Sequence, residues 1–315
     1  MSLNNSLGAI EVGALISVFL FGVVSVQVYI YYVQDRPKDP WRIRLLVPAV
    51  WIVDALQTGF IIKYIYQLTV TQYGDISAIG EPSWAFNTSA LFDGIMGGLV
   101  QSFFAHRIYV LSNKWPITII SWFGSFCVVA MDIAIMVLAQ TETILAFDAK
   151  YSPLVTTVLV TQLTVDLINT SSLCYLLRIE KTGFESTDGT LNKLFIWTIQ
   201  TGIVTSLAAI LTLVFELALP KTSLWVAISI FYSKLYSNSL MASLNGRKVL
   251  RDKYNEDTHE LSSIRVDALA AMQYPSQEDP ESALKPLARA KRSIDKAFSF
   301  GSHDPTLVDD VGCYP

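Results

Sequence analysis

The chain of 315 residues is 52% hydrophobic and only 16% charged, well below the roughly 25% charged residues of ordinary soluble domains. Its net charge of −4 excludes the general basic field that draws proteins to the phosphates of nucleic acid. The composition therefore disfavours a soluble protein and predicts an all-α integral membrane protein whose main partner is the lipid bilayer.

Seven apolar stretches are each long enough to cross a membrane as a helix. A spanning helix needs about 20 predominantly apolar residues, and all of its backbone polar groups must be paired within it. The stretches are 8–32, 45–68, 85–108, 116–139, 153–177, 194–219 and 222–244. The first has no basic residue before it and no convincing cleavage site, so we expect it to stay as a span. The sequence predicts a seven-transmembrane helix bundle over 8–244, after a short external N-terminus at 1–7.

Lysine and arginine indicate the direction of the spans, because they are retained on the cytosolic side during insertion. Nineteen of them fall in the loops after spans 1, 3 and 5 or after span 7, against only Lys150 and Lys221 in the opposite loops. This predicts an external N-terminus and a cytosolic C-terminus, in the plasma membrane or an endomembrane. Two N-x-S/T sequons, at Asn4 and Asn87, fall on the predicted outer side and are glycosylation candidates.

Several blocks of sequence resemble one fungal family. They are LTVTQYGD (68–75), LVQSFFAHRIYVLS (99–112), WTIQTGIVTSLAAI (197–210) and KLYSNSLMASLNGR (234–247). With the opening segment 7–41, they are similar to seven-span proteins of mushroom-forming fungi grouped under a domain of unknown function of the DUF6534 type. The resemblance covers about residues 7–250. It implies the topology, and neither an activity nor a ligand.

Ionisable side chains within the spans are the main functional candidates, since a charge in the bilayer is costly and usually faces the bundle interior. The carboxylates are Asp54, Asp93, Asp132, Asp166 and Glu216, and the central base is Lys234. Lys234 and Asp54 lie near mid-depth and Asp166 slightly further in, so we expect Lys234 to pair with one of these two carboxylates. Such a pair either fixes helix packing or acts as a ligand counter-ion or proton relay.

Two further groups of polar side chains are candidates. The inner half of span 7 carries Tyr236, Ser237, Asn238 and Ser239, which serve either as a switch or as interhelical hydrogen-bonding groups. The inner end of span 3 carries His106, Arg107 and Tyr109, which faintly resemble the acidic-Arg-Tyr motif of rhodopsin-like receptors without its acidic residue. Small residues at 94, 98 and 102 repeat every four positions on span 3 and should let another helix approach closely.

No cofactor, metal or enzymatic activity is expected. Lys234 invites comparison with retinal proteins, but Ile230 stands four residues earlier, where microbial opsins place an aspartate. The only histidines are His106, His259 and His303, and the last two lie in the tail, so a multi-histidine metal centre is not expected. No G-x-S-x-G nucleophile motif occurs in the sequence.

These observations favour a receptor-like sensor with an unknown ligand. The alternative is a proton-coupled transporter or channel, which would use the carboxylates directly, and a structural membrane protein is the third possibility. The tail, 245–315, is polar with few aromatic residues, so we expect it to be cytosolic and mostly disordered. It is a candidate docking segment for a cytosolic partner.

Overall fold

The structure, a computed structural model, describes residues 3–34, 40–75, 81–179, 185–219 and 224–246, which form long helices and no strand. The helices are α1 Leu3–Gln34, α2 Trp41–Tyr66, α3 Trp84–Ser112, α4 Trp115–Leu138, α5 Ile144–Ile179 and α6 Glu185–Ala218. Residues 224–246 are also helical and are called α7 below. The prediction of an all-α protein is confirmed. The tail beyond residue 246, with its predicted disorder, lies outside the described residues.

Local sequence signals set the tight turn between α3 and α4. Asn113 adopts a left-handed φ of 53°, and its N–H bonds to the carbonyl of Tyr109 at 2.8 Å. Asparagine tolerates this conformation, which ends the helix. Pro116 then stands in the first turn of α4, where its missing N–H leaves no helical bond unmade. The turn consists of Asn113 and Lys114 alone, so α4 folds back along α3.

Five helical segments are long and apolar enough to cross a membrane. They are Leu7–Val33, Trp41–Thr71, Trp115–Leu138, Ala149–Ile179 and Thr198–Ala218. At most 33% of each apolar window is buried within the protein, so most of each surface is available to lipid tails. The chain is therefore a multi-pass membrane protein by length and composition. The prediction of seven spans is confirmed for these five segments and stays a prediction for α3 and α7.

Side-chain contacts between α1 and α7 show that these two helices are parallel. The amide of Asn238 donates to the carbonyl of Leu20 at 3.3 Å, and the amide of Asn245 donates to the carbonyl of Gln27 at 2.9 Å. Both partners advance by seven residues from one contact to the next, which only parallel helices allow. We call this line of contacts the α1–α7 seam. The start of α1 and the end of α7 consequently lie at opposite ends of the bundle.

Helices that follow one another in the chain alternate in direction. Lys234 of α7 contacts Asp54 of α2, whereas Ile230, one turn earlier, contacts Gln57, so α2 and α7 are antiparallel. In each other pair, the residue numbers rise on one helix as they fall on its partner from one contact to the next. This makes α3 antiparallel to both α2 and α4. In the same way, α5 is antiparallel to α4, and α6 is antiparallel to α5. The helices form an up-and-down bundle.

Small residues set the closest helix approaches. Gly13 of α1 lies so close to the carbonyl of Ala227 on α7 that a Cβ there would overlap it. On α3, Gly94 packs against the side chain of Asp132, and a Cβ on Gly98 would lie 3.0 Å from Val129 of α4. The glycines of span 3 thus bring α4 close within one chain, as small residues do at membrane helix interfaces.

α7 is the most enclosed helix of the described bundle. More than half of its side chains are buried, and they include Lys234 and Leu240, both 0% exposed. Its polar side chains contact α1, α2, α3 and α5. Their shielding by protein explains how a helix of only moderate hydropathy can lie among strongly apolar ones.

Candidate functional site

The centre of the bundle is an ion pair between α7 and α2. The Nζ of Lys234 lies 3.0 Å from Oδ1 of Asp54 and donates to the Asp54 backbone carbonyl at 2.8 Å. Both side chains are 0% exposed. Asp54 and Asp166 were the two predicted partners of Lys234, and the structure pairs Lys234 with Asp54. In a low-dielectric interior such a pair attracts strongly, yet each charge has also lost its water.

Neighbouring groups hold the pair in place. The Asp54 carbonyl also accepts the hydroxyl of Thr58 at 2.7 Å, and the Lys234 ammonium lies 5.7 Å from the centre of the Phe21 ring on α1. That distance is within the range of a cation–π contact. The carboxylate of Asp93 lies close enough to Lys234 for their charges to interact. The Lys234 ammonium therefore interacts with groups on three helices, which are Phe21 on α1, Asp54 on α2 and Asp93 on α3.

Asp166 belongs to a second, separate network. One of its carboxylate oxygens accepts the amide of Gln101 at 2.9 Å, and the other accepts the hydroxyl of Tyr236. The hydroxyls of Tyr236 and Tyr232 lie 2.9 Å apart. The Ser125 hydroxyl donates either to the side-chain oxygen of Gln101 at 2.8 Å or to the carbonyl of Ser121 at 2.9 Å. The network joins α3, α4, α5 and α7, and all five side chains are buried.

Sequence reasoning missed Gln101, Tyr232 and Ser125 in this network. An uncharged polar residue in a span has many possible partners, so depth alone does not single it out. The available signal was the two-sided bonding capacity of Gln101, whose amide can donate to one helix while its carbonyl accepts from another.

The remaining carboxylates lie toward the predicted outer side. Asp93 accepts the amide of Gln57 and lies close enough to Asp132 for their charges to interact. Glu216 is 2% exposed and accepts the hydroxyls of Ser152 at 3.3 Å and Thr156 at 3.1 Å. Asp54 and Asp93 thus lie within electrostatic range of Lys234, and Asp132 lies within that range of Asp93. Asp166 and Glu216 have other partners.

The polar residues of span 7 have different partners. Tyr236 donates to Asp166, and Ser237 donates to the carbonyl of Lys234 at 3.1 Å. Asn238 belongs to the α1–α7 seam, and Ser239 lines a small cavity described below. Tyr236 and Asn238 therefore make interhelical hydrogen bonds, whereas the bond of Ser237 stays within α7.

The candidate residues at the inner end of span 3 make local contacts. Arg107 donates to the hydroxyl of Ser243 on α7 at 3.3 Å. The ring of Tyr109 lies 6.4 Å from that of His106 and 4.3 Å from that of Trp115. Arg107 thus links the C-terminal ends of α3 and α7.

The two glycosylation candidates differ in position. Asn87 is 7% exposed inside α3, and its amide donates to the carbonyl of Ala139 at 2.8 Å. A glycan on Asn87 is incompatible with this packing, because the amide nitrogen that would carry it is enclosed. Asn4 falls in the first turn of α1, and its side chain lies outside the described residues. Within the described ranges, no group of three His, Cys, Asp or Glu side chains is arranged to hold a metal ion.

Replacing Tyr236 with phenylalanine is expected to lower the free energy of unfolding by about 1–3 kcal/mol, because the buried Asp166 carboxyl loses a hydrogen-bond donor. Tyr232→Phe is the matched control and should lose only about 0.5–1.5 kcal/mol, because it removes a bond between neutral hydroxyls. Chemical unfolding of both purified variants in detergent micelles measures the difference. A larger loss for Tyr232→Phe would contradict the assignment of Tyr236 as the donor to Asp166.

Comparison with known proteins links part of this bundle to a family. Residues 162–249 match the model of a family of unknown function, DUF6534. The matched stretch runs from within α5 to beyond α7, so it contains Asp166, Lys234 and Tyr236 but not Asp54. The resemblance to a domain-of-unknown-function family is confirmed over this stretch. No curated protein and no solved structure matches the chain.

Proposed function

We propose that this chain, whose residues 162–249 match a family of unknown function, is a seven-span receptor-like sensor in which α7 is the responding helix. The observation that carries the proposal is the fully buried ion pair of Lys234 and Asp54. Such pairs add little stability compared with apolar packing of the same volume. A pair of this kind is well suited to selecting one position of α7 over another, which is what a sensor requires.

The lengths and directions of the helices support seven crossings. α3 has 29 residues and is about 43 Å long at 1.5 Å per residue. The 23 helical residues of α7 extend about 34 Å, which exceeds the roughly 30 Å of bilayer hydrocarbon. Both helices pack against the other helices, and most polar side chains of α7 are buried. The parallel α1 and α7 are compatible with an external N-terminus and a cytosolic end of α7, the direction that the distribution of lysine and arginine favours.

The contacts of α7 support its role in transmission. Lys234 binds α2, Tyr236 binds α5, and Asn238 binds α1. Near its inner end Ser243 accepts a hydrogen bond from Arg107 of α3. The same helix leads into the predicted cytosolic tail. A ligand that favours a different position of α7 would therefore change several helix contacts together and alter the start of the tail.

Distance measurements between spin labels test whether the pair selects a conformation. We would label Ala242→Cys on α7 and Ile117→Cys on α4, two exposed inner positions, after replacing Cys127, Cys174 and Cys313 with serine. In lipid nanodiscs, Asp54→Asn is expected to add a second distance population, because the stranded ammonium no longer favours one position of α7.

The charge-reversed double variant, Asp54→Lys with Lys234→Asp, is the control and should restore the single population. If Asp54→Asn keeps the original distance distribution and only becomes less stable, the pair is structural and the sensor proposal loses its main support.

A second candidate function, proton-coupled transport, is favoured by the buried Asp166–Tyr236–Tyr232 chain. Proteoliposomes containing a pH-sensitive dye would show proton entry under an imposed potential. Entry that is abolished by Asp166→Asn and retained in Thr164→Ala, a change at an exposed position of the same helix, would favour transport over sensing.

A further inference from the structure

We propose that a cavity of about 30 Å³ between α3, α5, α6 and α7 binds one or two ordered water molecules. Its lining includes Phe104, Asp166, Asn169, Thr205, Tyr236 and Ser239. A single water needs about 10–15 Å³ of such space and two to four polar partners. The proposal does not depend on whether the protein is a sensor.

The polar part of the cavity wall includes hydrogen-bond acceptors. Asp166 accepts from Gln101 and Tyr236, and each of its carboxylate oxygens has a further lone pair. The hydroxyl of Thr205 gives its proton to a carbonyl of its own helix, at 3.3 Å from Thr201 or 3.2 Å from Gly202. The Thr205 oxygen can then only accept. The oxygens of Asp166 and Thr205 can therefore bind a ligand that donates hydrogen bonds.

One group in the wall is an unpaired donor. Asn169 is 4% exposed, and its side-chain oxygen accepts the hydroxyl of Ser121 at 2.8 Å. Its side-chain nitrogen is buried and has no hydrogen-bond partner among the described residues. A buried amide left unpaired is unfavourable, and ordered water is a common partner for such groups.

Water can bind both to the acceptors and to the unpaired donor of the cavity wall. It can accept from the amide of Asn169 and donate to Asp166 or Thr205, whereas a bare cation would face the amide protons and an anion would face the carboxylate. A water in this position bridges α5 and α6. It thereby extends the Asp166 network to α6, which the hydrogen bonds of that network do not otherwise reach.

Radiolytic hydroxyl-radical footprinting of the full chain in nanodiscs, in water enriched in ¹⁸O, tests the proposal, since bound water generates radicals beside the residues it contacts. Leu173 lines the cavity and is 1% exposed, whereas Leu240 does not line it and is 0% exposed. We expect ¹⁸O incorporation at Leu173 to be several-fold faster than at Leu240. Equal rates in the wild-type protein would overturn the proposal without any mutation.

Two variations of the experiment identify the occupant. Asn169→Leu removes the donor and fills the space, so the rate at Leu173 should fall to that of Leu240. The wild-type rate should also be the same in sodium chloride and in choline chloride. Protection of Leu173 by sodium alone would mean that the cavity holds a cation, and the water assignment would be wrong.

Discussion

Replacing Lys234 with methionine alone is expected to lower the free energy of unfolding by about 3–5 kcal/mol, the usual loss when one partner of a buried ion pair is removed. Methionine preserves most of the side-chain length but leaves the carboxylate of Asp54 enclosed without the ammonium that lies 3.0 Å away. Reversible unfolding in lipid bicelles, followed by the susceptibility of the unfolded fraction to protease, measures the change.

Two controls separate the effect of charge from the effect of volume. Adding Asp54→Leu to Lys234→Met should recover most of the lost stability, because an apolar pair is often as stable as a buried ion pair. Lys63→Met replaces a lysine that lies 3.8 Å from the centre of the Trp84 ring near a helix end. It should lose no more than about 1 kcal/mol. If Lys234→Met lowers the free energy of unfolding no more than Lys63→Met does, the Lys234–Asp54 pair does not hold the bundle together.

Replacing Gly13 with alanine is expected to destabilise the bundle by about 1–3 kcal/mol, as overpacking of a close contact does. The added Cβ would overlap the carbonyl of Ala227, so the backbones of α1 and α7 must separate. The α1–α7 seam would open from the N-terminal end of these two helices, and the same unfolding assay would record the loss.

Gly22→Ala is the matched control on the same helix. A Cβ at Gly22 meets nothing within 4 Å, and alanine favours helix over glycine by about 1 kcal/mol. This variant should therefore be neutral or slightly stabilising. If both variants changed stability equally, the close approach at Gly13 would not restrict the packing of α1 and α7.

The sequence predicted the pairing of Lys234 because charge and depth constrain it strongly. A buried ammonium needs a counter-charge, and Asp54 and Asp166 were the carboxylates at suitable depth. Depth could not decide between them, since the choice depends on which helices are neighbours. The structure places α2 against α7 at this level, while Asp166 is already bonded to Gln101 and Tyr236.

Helix boundaries were less predictable than helix positions. Apolar length locates the part of a helix that lies in hydrocarbon, but a helix can extend beyond it into the polar interface. The apolar stretch of span 5 began at 153, whereas α5 begins at Ile144. The polar residues of α3 and α7 lower the mean hydropathy of these two helices, although many of these residues are buried against other helices. Hydropathy therefore describes these two helices less well than the other five.

The α1–α7 seam joins the first of the described helices to the last. Lys234 follows its partner Asp54 by 180 residues, which at about 5–20 residues per second takes the ribosome roughly 10–40 seconds. During that interval the Asp54 carboxylate must be accommodated by water, lipid headgroups or the insertion machinery. The carbonyls of Leu20 and Gln27 likewise acquire their amide partners only when α7 arrives. The arrival of α7 is thus the step that closes the bundle, so a nascent chain that stops before residue 234 contains a charged aspartate whose cation has not been made.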